Sequence, residues 1–388
     1  MKMKIKLPIL LLFVLMNLAS LAQPWFQKAS FGGAGRHRSV GIAIGNKGYI
    51  GTGHVNGTGV DISYKDWWQY DPASDSWTQK ADFPVSGHGV TAWGTETRGY
   101  VGGGSALTNQ FYCYNPVNNT WTSIANCPLS PGDVQGFSVQ NKGYVLSGNS
   151  IAEYDPTTNT WTLKANCPIT INTWSSAFGT SGSGFVKSGI NLYEFKPSQN
   201  QWIPRASFPG LCTNGSSAFA IDGKGYITCG YVGGLSTVTD QVWEFNSGSN
   251  SWSLIGEFPG TSRRFPVAFA VEGKGYFGTG TNGINMNDFW QFNYNPLGTD
   301  ELIIDASNIN VYPNPITDQV TFAFNLSDYS KLSDCSLSIY NLQGELIENK
   351  IGLTPILTIE RNSKINGMYI YKISSSENVV YTGKLIYN

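Results

Sequence analysis

A tryptophan returns six times along this 388-residue chain, at Trp25, Trp77, Trp121, Trp161, Trp202 and Trp252, with gaps of 52, 44, 40, 41 and 50 residues. A period of that length marks a repeated supersecondary unit, so the fold must be assembled from six similar pieces. A second landmark keeps step with the first: Gly48-Tyr49, Gly99-Tyr100, Gly143-Tyr144, Gly184-Phe185, Gly225-Tyr226 and Gly275-Tyr276. A third is an aromatic followed by a turn, at Tyr70-Asp71-Pro72, Tyr114-Asn115-Pro116, Tyr154-Asp155-Pro156, Phe195-Lys196-Pro197, Phe245-Asn246-Ser247 and Tyr294-Asn295-Pro296. Proline presets φ, and Asp or Asn caps its own backbone. Each unit is therefore predicted to be a four-stranded antiparallel sheet: an apolar inner strand, the Gly-aromatic strand, the strand that ends at the turn, and an outer strand carrying the tryptophan. Such a sheet cannot bury both faces alone, whereas six arranged radially can.

Composition agrees with an all-β chain. Charged residues make up 13% of the sequence and 45 residues are glycine, against a usual charged share of about 25%. The net charge of −1 comes without a basic run after the N-terminal leader, so nothing supplies the phosphate-neutralising field of a nucleic-acid binder. Six cysteines are present, but Cys127 and Cys167 stand six residues after Trp121 and Trp161, where other repeats place Phe83, Phe208 and Phe258. They are expected to be buried as small hydrophobes rather than bridged.

The Gly-Tyr strand, the glycine cluster kept as Gly102-Gly103-Gly104, the Tyr-Asp-Pro turn and the tryptophan together resemble the kelch repeat family over about Gln23 to Pro296. The resemblance implies a six-bladed kelch-type β-propeller. Trp25 precedes the first Gly-aromatic strand and the sixth unit ends without a tryptophan of its own. The N-terminal strand is therefore expected to complete the sixth blade and remove an open edge.

Lys2, Lys4 and Lys6, the apolar stretch Leu7 to Leu18 and Ser20-Leu21-Ala22 have the pattern of a secretory signal, residues 1–22, and the stretch is shorter than the roughly 20 residues of a spanning helix. At the other end, a linker over 297–308 leads into 309–388, where strand alternation predicts a small β-sandwich of immunoglobulin-like type. Its Val311-Tyr312-Pro313-Asn314-Pro315, Ile339-Tyr340-Asn341-Leu342-Gln343-Gly344, Asn366-Gly367-Met368-Tyr369 and Lys384-Leu385-Ile386 are similar to the type IX secretion (Por) C-terminal sorting domain of the Bacteroidetes. That resemblance implies the secretion machinery as a partner and a secreted or cell-surface address. Tyr312, Pro313, Asn314, Pro315, Gly344, Gly367, Tyr369 and Lys384 are its marker residues.

In kelch-type propellers the inter-blade loops share one rim of the central channel, where ligands bind. Aligning the Gly-aromatic landmarks places His37, His88, Gly132, Thr173, Asn214 and Arg264 at one equivalent loop position, with Arg36, Arg38, Asp133, Trp174 and Arg263 beside them. His54 falls on the same face. The expected ligand site is Arg36, His37, His54, His88, Asp133, Trp174, Asn214, Arg263 and Arg264, with the Arg and His residues forming one sector opposite Trp174 and Asp133. Arginine forks suit a carboxylate and an aromatic face suits a sugar ring, so a glycan, or a cell-surface protein, is the expected partner of a monomeric binding propeller. A sugar or sugar-acid enzyme of mutarotase-like kind at the same rim and a structural adhesin are the alternatives. The histidines lack metal-ligand spacing, and no cofactor is implied. Glu153, Glu194 and Glu244, repeated before the third-strand aromatic, read as structural hydrogen-bonding positions.

Overall fold

The computed structural model describes residues 24–233, 237–293, 308–326, 329, 332–333, 335–361, 366–374 and 379–388. The signal segment 1–22, the turn Tyr294-Asn295-Pro296 and nearly all of the linker lie outside them. The protein is all-β and divides into two compact units, residues 1–294 and 295–388.

The first unit contains six four-stranded antiparallel sheets. Their first strands are Val40–Ile44, Thr91–Gly94, Phe137–Val139, Ser176–Gly179, Ser217–Ile221 and Val267–Val271. Each contacts the first strand of the next sheet, and the sixth contacts the first. Trp25–Lys28 pairs with Phe289–Phe292, Trp25 opposite Phe292, so the N-terminal strand does supply the fourth strand of the sixth sheet.

Close approach explains the recurring Gly-aromatic pair. A Cβ on Gly143 would come 2.0 Å from the Trp93 ring, and one on Gly184 would come 1.9 Å from the Phe137 ring. Each ring belongs to the first strand of the preceding sheet. The same packing joins Gly225 to Phe178, Gly275 to Phe219 and, from first sheet to sixth, Gly48 to Phe269.

The tryptophan has an equally local task. The indole N–H groups of Trp77, Trp121, Trp161, Trp202 and Trp252 donate to the carbonyls of Ala29, Ala81, Ala125, Ala165 and Ala206 at 2.7–2.9 Å. Each alanine follows the outer strand of the preceding sheet. The N–H of the same alanine donates to Asp75, Asn119, Asn159, Asn200 or Asn250 at 2.8–3.0 Å, residues held at φ of 49–55°. That left-handed conformation suits Asn and Asp better than other non-glycine residues. Trp25 breaks the series. Its indole N–H has no hydrogen-bond partner, and the residue four positions beyond Trp252 is Gly256, at φ 140° beside a register shift. That joint is packed instead by Trp25 against Phe258, Phe277 and Phe292, with ring centroids 4.8–5.8 Å apart.

Glu153, Glu194 and Glu244 serve the sheets. Glu153 accepts from Tyr144 and Lys142, Glu194 from Ser183 and Arg205, and Glu244 from Tyr226. Cys113, Cys127, Cys167, Cys212 and Cys229 are free thiols, and Cys127 and Cys167 are buried.

In the second unit, Ile309–Tyr312, Gln319–Phe324 and Ile356–Glu360 form one sheet. Leu346–Ile351, Ser336–Tyr340, Gly367–Ser374 and Val379–Tyr387 form the other. They share a core that includes Phe322, Leu337, Ile339, Ile373 and Leu385.

Trp161→Phe, which removes the indole donor and part of a ring packed on Trp93, Phe111 and Tyr154, should cost about 1–3 kcal/mol. Gly184→Ala, which drives a methyl into Phe137, should cost roughly 1–3 kcal/mol or more. Denaturant unfolding of the two variants checks both, and a neutral Gly184→Ala would refute the close-approach explanation.

Candidate functional site

The six loops that lead into the first strands converge on one cavity. At its edge each loop places one residue in the left-handed region: Arg38 (φ 54°), Gly89 (61°), Asp133 (54°), Trp174 (66°), Gly215 (68°) and Phe265 (55°). A backbone relay connects them. Gly89 N donates to Arg38 O (3.0 Å), Asp133 N to Gly89 O (2.7 Å), Trp174 N to Asp133 O (2.5 Å), Gly215 N to Trp174 O (2.8 Å) and Phe265 N to Gly215 O (2.8 Å). Four of the six are not glycine. Left-handed backbone costs such residues conformational energy, and it is the relay that holds them there.

The ring aligns one residue later than the column read from the sequence. Phe265 was missed altogether. The signal was available in Gly89 and Gly215, since two glycines in one column mark a backbone demand that only position, not residue chemistry, explains.

Within the ring, Arg38 Nε donates to Asp133 Oδ1 at 2.7 Å and Arg38 Nη2 pairs with Asp133 Oδ2. The two residues expected on opposite sectors are thus joined directly. A Cβ on Gly89 would sit 2.3 Å from Asp133 Oδ1, so glycine there makes room for the carboxylate. Trp174 packs edge-on against Phe265 at 5.1 Å and lies 6.0 Å from Tyr231. The Arg264 guanidinium lies 5.1 Å from the centre of the Tyr231 ring. Gln135 crosses beneath, donating to Ala218 O at 2.9 Å and accepting from Ala177 N at 3.3 Å. The cavity, lined by Arg38, Gly89, Asp133, Gln135, Trp174, Ser175 and Phe265 among others, holds about 100 Å³ and widens at its mouth into open solvent. Two buried polar atoms of its lining residues, Trp174 Nε1 and Ser175 Oγ, lack any hydrogen-bond partner, as does Arg264 Nε beside Tyr231.

Arg36 and Arg263 do not belong to the site. Both are fully buried, and their guanidinium groups are saturated. Arg36 donates to Ala34 O, Thr52 O and both oxygens of Asp66. Arg263 repeats this with Thr261 O, Thr279 O and Asp288. Trp68 and Trp290 donate to the same carboxylates. These are matched clamps that fix the loops before the first and sixth sheets. Asn214 sits in its loop, its side chain accepting from Thr213 at 3.3 Å and its carbonyl from Tyr231 N.

The three histidines come together as a column outside the cavity wall. His37 and His54 rings are 5.2 Å apart, and His54 stacks on His88 at 4.1 Å. His37 Nδ1 donates to Asn285 Oδ1 at 2.7 Å and His54 Nε2 to Asp61 Oδ1 at 2.8 Å, while Ser63 Oγ and His88 Nδ1 share a hydrogen bond at 3.0 Å. Burial, reinforced by the positive fields of His54, Arg38 and Arg264, pushes the His37 pKa down to about 4 against the Asn285 hydrogen bond. Burial and Arg38 lower that of His88 as well.

Comparison with known proteins adds three findings. Residues 310–388 match the family described as a secretion system C-terminal sorting domain. The domain marks the chain for export through the type IX secretion system to the cell surface or the extracellular space, and the machinery of that system is its partner. The solved structure titled "Structure of YjhT" superposes with a TM-score of 0.58 over 68% of this chain and 95% of its own, at 16% identity, a likeness of fold alone. A protein named ulvan lyase NLR42, from Nonlabens ulvanivorans, is 30% identical over 112 residues, which is 28% of this chain and 20% of that protein. The match spans about a fifth of the relative's length.

Two outcomes are expected. Asp66→Ala strands a buried guanidinium and should cost about 3–5 kcal/mol in denaturant unfolding. For His37, whose folded pKa is depressed, the unfolded chain binds more protons between pH 6.5 and about 4. Its stabilising contribution is complete above pH 6.5 and is lost as pH falls towards 4. Thermal melts across that window should show the loss, and His37→Gln should flatten it.

Proposed function

We propose that residues 23–296 form a six-bladed kelch-type β-propeller which, once delivered outside the cell by the domain at 309–388, binds a carbohydrate bearing a carboxylate at the mouth of its channel. The observation that carries this reading is the pair of unpartnered polar atoms, Trp174 Nε1 and Ser175 Oγ, on residues lining an aromatic-walled cavity, with the unpartnered Arg264 Nε on the residue next to Phe265 of that wall. Buried donors without acceptors cost stability, and a polar ligand would satisfy them. Arg264 has no carboxylate partner among the described residues, which leaves its charge for an anion. The faces of Trp174 and Phe265 suit the apolar side of a sugar ring. The similarity to a protein named as an ulvan lyase is in keeping with a carbohydrate ligand.

Binding is favoured over turnover by what the cavity lacks. Its titratable lining residues, Arg38 and Asp133, are spent on each other, and the histidines stand behind the wall rather than on it. A purely structural adhesin would have no use for the unpartnered donors.

Calorimetric titration of a uronic acid against its neutral parent sugar tests the reading. The acid should bind more tightly, with an affinity that falls as salt rises. Trp174→Ala should weaken binding of both by about ten-fold, whereas Arg264→Ala should erase the preference for the acid. Equal or absent binding of the two sugars would sink the proposal.

A further inference from the structure

The sorting domain carries its family markers in four segments spread over more than 70 positions, and the fold brings all four to one end. Strand register fixes three of them. Tyr340 pairs with Ile370 and Gly367 with Tyr387, so the turn at 341–345, the start of Gly367–Ser374 and the finish of Val379–Tyr387 lie together. The fourth is tied in by hydrogen bonds. Asn314 Nδ2 donates to Lys384 O at 3.0 Å, and Asn314 Oδ1 accepts from Ile386 N at 2.9 Å. Ile316 N donates to Ile386 O and Asn388 N to Ile316 O, at 2.7 and 3.0 Å. Arg361 closes the arrangement by donating to Thr317 O, Asn388 O and Asn366 Oδ1.

Large apolar side chains are exposed at this end: Tyr312 is 53% exposed, Leu342 63%, Met368 41% and Ile386 39%. Met368 and Ile386 are directly opposed in the register. Side chains alternate across a strand, so the two stand side by side on the outer face with exposed Lys384, while Tyr369 and Leu385 turn into the core. Core packing asks for no hydrophobe at Met368 or Ile386.

We propose that the type IX secretion machinery docks on this end, reading a composite surface of Tyr312, Leu342, Met368 and Ile386 beside Lys384 rather than the terminal strand as a linear tag. The complementary chemistry is an apolar recess edged by carboxylates that take Lys384. Continuity with the family markers commits the patch to that partner. Asn314 is a positioning residue, holding the Tyr312–Pro315 turn against the terminal strand.

The test is export of the full-length chain from a bacterium that carries the type IX system, read as the surface and medium fraction against the periplasmic fraction. Thermal unfolding of each purified variant reports on folding, and no ligand is involved, so failure here leaves the binding proposal standing. Met368→Asp and Ile386→Asp should cut the exported fraction about ten-fold, as loss of an interface hot spot does. The milder Met368→Ser and Ile386→Thr should lower it less, with unchanged melting. Asn314→Ala should lower export although no patch residue is lost. Ile351→Asp and Ile356→Asp remove exposed hydrophobes at the opposite end and should export normally. Normal export of the patch variants, or an equal defect in the opposite-end pair, would overturn the proposal.

Discussion

Five of the six joints between sheets of the first unit are gripped through the backbone of a single alanine. An indole N–H takes the carbonyl and an Asn or Asp side chain takes the amide, so both polar groups just beyond an outer strand are satisfied where no further strand can pair them. Because the same two contacts recur at successive joints, neighbouring sheets meet with the same geometry each time. The position of every loop at the cavity follows from that repetition. The glycine of each Gly-aromatic pair completes the joint on its inner side by admitting a side chain from the sheet before it, a ring at five joints and Ile42 with Ile44 at Gly99.

Most of this frame could be read from the chain. Tryptophan, Gly-aromatic and aromatic-turn landmarks gave six sheets, their strand order and the strand exchange between the two ends. The alanine four residues after each of the first five tryptophans was equally visible, and so was its replacement by Gly256 after the sixth. The site was harder because residue type does not reveal burial. Arg36 and Arg38 look alike in sequence, yet one is walled in by Asp66 and backbone carbonyls while the other faces the cavity. What separates them is an aspartate two residues before a tryptophan, Asp66 before Trp68, a pattern repeated for Arg263 by Asp288 before Trp290. The histidines, read from the sequence as part of a ligand-binding sector, pack on one another, which only side-chain direction could reveal.

The cavity edge illustrates a division of labour between main chain and side chain. At Arg38, Asp133, Trp174 and Phe265 the backbone is held in a conformation that these residues do not favour. The relay of amide hydrogen bonds supports that conformation, and all four residues line the same cavity. Strain of this sort is found where function needs a side chain aimed rather than merely present. Gln135 adds a floor by reaching the fourth and fifth sheets from the third.

The joint between the fifth and sixth sheets differs from the others in its chemistry and in its history along the chain. Five alanine clamps join residues 36 to 48 positions apart, whereas Trp25–Lys28 must find Phe289–Phe292 across the whole unit. Loop-closure entropy rises with that distance, and folding rates fall as long-range pairings dominate. The slowest step in assembling this unit is therefore expected to be the meeting of its two ends, at the one joint where an indole is left without its carbonyl. The same joint is the natural place for unfolding to begin, so the lifetime of the folded protein outside the cell would be governed by how tightly three phenylalanines hold Trp25.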